Sequence, residues 1–160
     1  MFVNFEELPE DARIWIYQSN RAFNDEEITE LKIRLADFLE EWSAHGASLK
    51  AAYTLPYNRF IVIGLDQSQA EASGCSIDAS VHFIQKLQDL YEVDLLDKMN
   101  VTFKQGQYLA YKDLKEFKSL VKNKAVSANT IVFNNLVNTK KDFKENWEVP
   151  LKDSWHSRFL

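Results

Sequence analysis

One cysteine, three prolines and four glycines are all that 160 residues contain of these types, and each scarcity excludes something. A lone Cys75 cannot close an internal disulfide, and His45, His82 and His156 stand too far apart for zinc-ligand spacing, so no metal site is expected. Gly46, Gly64, Gly74 and Gly106 never bracket a phosphate loop ending in Lys and Ser/Thr, and no two of them sit two apart. Such loops work by wrapping phosphates in backbone amides, so the P-loop and the dinucleotide fingerprint are both missing. No motif names a cofactor. The longest apolar run is the short Phe60 to Leu65, far below the roughly 18–20 residues that cross a bilayer. Met1 to Glu10 has neither the basic flank nor the apolar stretch of a secretory signal, which together with the single cysteine leads to the expectation of a soluble cytoplasmic protein without a membrane partner.

What is abundant is apolar and aromatic surface: 46% hydrophobic residues, with four Trp, six Tyr and eleven Phe. That is enough for one sizeable core, so a single α+β domain over 1–160 is expected, its core over about 10–111 and a C-terminal strand and helix extension over about 112–160. Charge is unevenly spread. Met1 to Asp97 carries 18 acids and 7 bases, whereas Lys98 to Leu160 carries 6 acids and 12 bases. Opposite signs on two stretches favour attraction within the fold or between copies, and an overall acidic chain makes nucleic acid an unlikely partner.

Arg13 to Tyr17 has the bulky alternation of a strand. Asn24 followed by Asp25-Glu26-Glu27 marks a helix start, and Ile28, Leu31, Leu35, Phe38, Leu39 and Trp42 form its apolar stripe, with Gly46 placed to end it. Leu49 to Leu55 and Arg59 to Asp66 read as a hairpin across Pro56-Tyr57-Asn58. A second helix is expected from a Ser76 cap to Tyr91 on Ile77, Val81, Ile84 and Leu87, then a hairpin of Val101 to Phe103 with Tyr108 to Tyr111. A third helix fits Asp113 to Lys122. Thr130 to Phe133 is open between strand and helix, and Phe143 and Trp147 favour a short helix before Pro150. The order strand, helix, strand, strand, helix, strand corresponds to a ferredoxin-like split βαβ core, a mixed or antiparallel sheet with helices on one face. Such a fold hosts many activities and names none.

Chemistry concentrates weakly at Ser73-Gly74-Cys75-Ser76, which opens the second helix, where free amides and the helix dipole favour an anion or a thiolate. Cys75 is the one candidate sulfur nucleophile, with His82, His156 and Asp78 as candidate partners. A buried cysteine acting as a small hydrophobe is the plainer reading, and His82 lies about 10 Å further along the helix than Cys75, too far for a direct hydrogen bond. Asp66 and Asp78 flank the same loop and could converge on a ligand; capping or solvated roles are the alternative. Lys112, Lys115, Lys118 and Lys122 share one side of the third helix, as any solvated helix face does. Trp147, Val149, Pro150, Trp155, Phe159 and Leu160 make an apolar tail that must dock on its own core or on a second copy.

Five stretches, Arg13-Ile-Trp-Ile-Tyr-Gln18, Gly74 to Ile84, Val93 to Phe103, Thr130 to Leu136 and Ser154 to Leu160, span nearly the whole chain. They resemble a family of small, uncharacterised bacterial proteins carried under the label "ABC transporter ATPase". The resemblance implies a bacterial protein of that family and brings no catalytic residue with it. An ATPase of the labelled kind requires the P-loop that these residues lack. The expectation is therefore a non-catalytic binding or interaction module, self-associating through the tail or a sheet edge. The alternative is a small enzyme or a binder of a small anionic ligand, with its site at the Asp66 to Asp78 loop and the adjoining helix N-terminus.

Overall fold

Arg13–Gln18 forms β1 in the computed structural model, which describes residues 1–160. Asn24 then turns the chain into a helix: its side chain accepts the Glu27 amide at 2.8 Å, and the Glu27 carboxylate accepts the Asn24 amide at 2.9 Å. From this box runs α1, Asp25–Glu41, burying Ile28, Leu31, Leu35 and Leu39. Arg21 donates two 2.9 Å hydrogen bonds to Glu27 and one of 2.7 Å to the Tyr91 carbonyl. The guanidinium holds the Glu27 carboxyl below its ordinary pKa.

Gly46 does not end this helix. α1 stops at Glu41, and His45 (φ 51°) with Gly46 (φ 79°) makes the tight turn between β2, Ser43–Ala44, and β3, Ala47–Ser48. Left-handed backbone serves a helix end and a two-residue hairpin equally, so the glycine alone could not say which. The chain continues through β4, Lys50–Thr54, and β5, Phe60–Asp66, into α2, Gly74–Tyr91.

Two compact units result, one of Met1–Leu96 with Asn138–Lys141, the other of Asp97–Val137 with Asp142–Leu160. The sheet of the first has the order β1-β5-β4, with β5 antiparallel to both neighbours, so β1 and β4 run the same way with α1 connecting them. Period-two alternation divides its residues. Tyr17, Ala51, Ile61, Ile63 and Leu65 pack with the α1 and α2 side chains Leu31, Leu35, Leu39, Ile84 and Leu87, whereas Ala52 packs with Leu8 and Ala12 of the opening segment. Gly64 belongs to that second face, because a Cβ there would collide with Leu8 Cδ1 and press on Ile14 and Phe5.

The expected fourth strand is absent from this sheet. Val101–Gln105 (β6) pairs instead with Tyr108–Lys112 (β7) and with Ile131–Phe133 (β8) in the second unit, so the stretch 10–111 divides between the two units. The outer edge of β1 is met by Asn138 and Thr139, through Ile14 N–H to Asn138 O at 2.9 Å and an Arg13–Thr139 bridge. The outer edge of β4 is covered by the first residues: Val3 N–H donates to Ala51 O at 2.9 Å and Ala51 N–H to Met1 O at 3.0 Å.

In the second unit the order is β7-β6-β8-β9, where β9 is Glu148–Pro150. Thr130 to Phe133 thus resolves to a strand, and the short helix before Pro150 is α4, Lys140–Asn146, which starts in the first unit. Helix α3, Leu114–Lys122, starts from an Asp113 cap and buries Phe117 and Val121 against Val101, Phe103, Val126, Val132 and Leu151. Most of the apolar tail docks within its own unit, with Trp147, Val149 and Leu151 buried and Phe159 packed on Phe117, while Leu160 stays exposed. Neither α1, α2, α3 nor α4 is long and apolar enough to cross a membrane.

Candidate functional site

The Phe38 and Phe83 rings stack 4.3 Å apart, one from α1 and one from α2, and Phe38 leans on Trp42 at 5.9 Å. Trp42, only 4% exposed, donates its indole N–H to the Ser76 carbonyl at 2.8 Å, which ties the end of α1 to the first turn of α2. These three rings floor an open groove of about 640 Å³. Cys75, Ser76 and Ala79 form the α2 wall, Ser43 and His45 come from the β2–β3 hairpin, and Arg34, Asp37 and Glu41 stand on the α1 rim. Cys75 is a free, exposed thiol.

Ser73, Cys75 and Ser76 of the expected anion site lie along this groove, and their polar groups are engaged differently from the expectation. Ser73, not Ser76, is the N-cap: Ser73 Oγ accepts the Ser76 amide at 3.1 Å, and the Ser73 amide donates to Ser76 Oγ at 2.7 Å. Ser76 Oγ also donates to Ser73 O at 2.8 Å, so both hydroxyls are used in finishing the helix. Gly74 is exposed beside them, with open space where a Cβ would stand. Burial along α2 differs as well. Ser76 and Ser80 are buried with hydroxyls bonded to backbone carbonyls, and Val81 is exposed.

The expected partners of Cys75 do not line the groove. Asp78 and His82 are exposed on α2 outside its lining. Asp66 ends β5 and accepts the Ser68 amide at 3.0 Å, with the Lys50 ammonium 3.8 Å away. The Ser68 hydrogen bonds first, and then Lys50, hold its carboxyl below the ordinary value, so Asp66 is engaged in closing a turn. His156 belongs to the second unit, 2% exposed, with Nδ1 and Ser154 Oγ 2.7 Å apart and the Phe117 ring edge-on at 5.7 Å. Burial pushes its pKa down to about 4. No three His, Cys, Asp or Glu side chains gather as a metal-ligand set.

His45 is the histidine that shares the groove with Cys75, and sequence reasoning passed over it, as it did Phe83, Arg34, Asp37 and Glu41. Two signals were present. Phe83 falls off the apolar stripe drawn for the second helix, and a large ring outside the stripe marks a second apolar face. His45-Gly46 between two Ser/Ala pairs has the form of a two-residue hairpin turn.

A pocket floored by stacked rings and rimmed by charges of both signs suits binding of a compact apolar group with polar attachments. No family model matches the chain, no curated protein matches it, and no solved structure matches its fold.

Proposed function

We propose that this chain is a non-catalytic cytoplasmic binding module whose recognition site is the α1/α2 groove. One observation carries the reading: Phe38 and Phe83 are only half-buried and floor an open groove. Ring faces left to solvent gain by taking up an apolar group, roughly 25 cal/mol for each Å² removed from water. Titrating the full chain with indole and following amide resonances tests it. Shifts confined to Arg34–His45 and Ser73–Phe83 are expected; no shift at millimolar indole, or shifts scattered over both units, would overturn the reading.

A second reading, a small enzyme or anion binder acting through Cys75, is favoured by the exposed thiol and His45 lining one groove. Iodoacetamide alkylation separates the two: a Cys75 that reacts no faster than cysteine in a short unfolded peptide is a wall, whereas one that reacts many-fold faster is an activated nucleophile. Self-association fits the first reading too, since the units carry opposite net charge. The split βαβ expectation also keeps a form here, with Asn138 and Thr139 standing where a ferredoxin-like fourth strand would flank β1.

A further inference from the structure

We propose that the α1/α2 groove binds one face of a cationic amphipathic helix from another protein; this rests on the groove being the recognition site. Charge is the first argument. Helix α1 carries seven acids and two bases and α2 two acids and one base, so the two helices sum to −6, of which Asp37, Glu41 and Arg34 line the groove itself, net −1. Arg34 and His45 on the rim and Lys86 along α2 are the basic groups to be accommodated, and a partner whose lysines flank its apolar stripe meets the acids around them.

Backbone is the second argument. An extended peptide binds by adding to a sheet edge, and in this unit both outer edges of the three-stranded sheet are already met, β4 by Met1–Val3 and β1 by Asn138–Thr139. The groove offers side chains between two helices, which suits a partner that satisfies its own backbone. Spacing is the third. Leu90, 50% exposed, follows Phe83 by seven residues, which puts it about 20° around α2 from Phe83 and about 10 Å further along. Two apolar side chains at i and i+7 of the partner reach the Phe38/Phe83 slot and Leu90 together.

The test uses two synthetic helical peptides with the same Trp and Leu stripe, one with lysine and one with glutamate at the flanking positions, and indole as a third probe. On the full-length protein the lysine peptide is expected to bind at least about tenfold tighter than the glutamate peptide and to weaken severalfold between about 50 and 300 mM salt. Ala79→Trp, an exposed-site change that fills the groove without altering charge, should abolish its binding, and Leu90→Lys should weaken it, with thermal melts confirming that both variants fold. Equal affinity for the two peptides, or binding of indole alone, would overturn the helix proposal and leave the groove reading standing. Lysine-peptide binding that survives Ala79→Trp would show attraction to surface charge and also overturn it. Failure of all three probes would sink both.

Discussion

His156 is placed where protonation is costly. The Trp155 ring stacks on it at 4.1 Å, Phe117 meets it edge-on, and Ser154 takes its Nδ1, so the folded chain keeps it neutral down to about pH 4. An unfolded chain protonates the same imidazole near pH 6.5. Between these values the unfolded state binds more protons, so stability is complete above about pH 6.5 and falls as pH drops toward 4, by on the order of 2–3 kcal/mol. Glu27 and Asp66, whose pKa values are lowered, act in a separate window, because their contributions are lost only as pH falls below the ordinary carboxylate range. Urea titrations at pH 7 and pH 4.5 should show that slope in the native protein and lose it in His156→Phe; an identical slope in both would contradict the assignment. A histidine four residues from the last position looks like a reagent as readily as a core group. What decides its role is packing by Phe117, far away in sequence, which no local pattern encodes.

Elements follow the same division between local and distant causes. The Asn24–Glu27 box, the third helix and the β6–β7 hairpin were legible because their hydrogen bonds lie within a few residues of one another. Which sheet β6 joins was not, because its choice between β1 and β8 depends on the crossing of Asn138–Lys141 to the first unit. That crossing is held by Lys140, 5% exposed, whose ammonium donates to Leu8 O at 2.7 Å and Glu6 O at 3.3 Å. Its amide donates to Ala12 O at 2.9 Å. Lys140→Met keeps the stem and removes the donor, leaving the Leu8 carbonyl short of its partner at a cost of about 1–3 kcal/mol. Hydrogen exchange at the Ile14 amide, which Asn138 accepts, should accelerate in that variant; unchanged protection would show that the segment is held by other contacts. Of the groove's lining residues, the sequence singled out only Ser73, Cys75 and Ser76 as candidates. Cys75 stood out by rarity, whereas Arg34, Asp37, Glu41 and His45 became neighbours of it only when α1 and the β2–β3 hairpin folded beside α2.

At the scale of the molecule, charge and tail acquire definite places. The first unit holds 17 acids and 9 bases, net −8, and the second 7 acids and 10 bases, net +3. Opposite units attract between copies as well as within one, so light scattering behind size-exclusion chromatography should detect self-association at low salt that 0.3 M salt removes, given a Debye length of about 6 Å or less at that strength. A mass independent of salt would remove charge as its cause. The tail is core rather than arm: ending the chain at Pro150 deletes Leu151 and His156 from around Phe117, and a loss of about 3–5 kcal/mol or more in the second unit is expected in urea unfolding. An equally stable truncated protein would refute that packing.

The most direct measurement for the whole account is the alkylation rate of Cys75 by iodoacetamide in the native protein, with and without indole. An exposed thiol on the wall of an occupied groove should react without denaturant and slow severalfold as indole saturates the site. A thiol that reacts only after unfolding, or at one rate regardless of indole, would mean that the rings of Phe38, Trp42 and Phe83 do not floor a binding site.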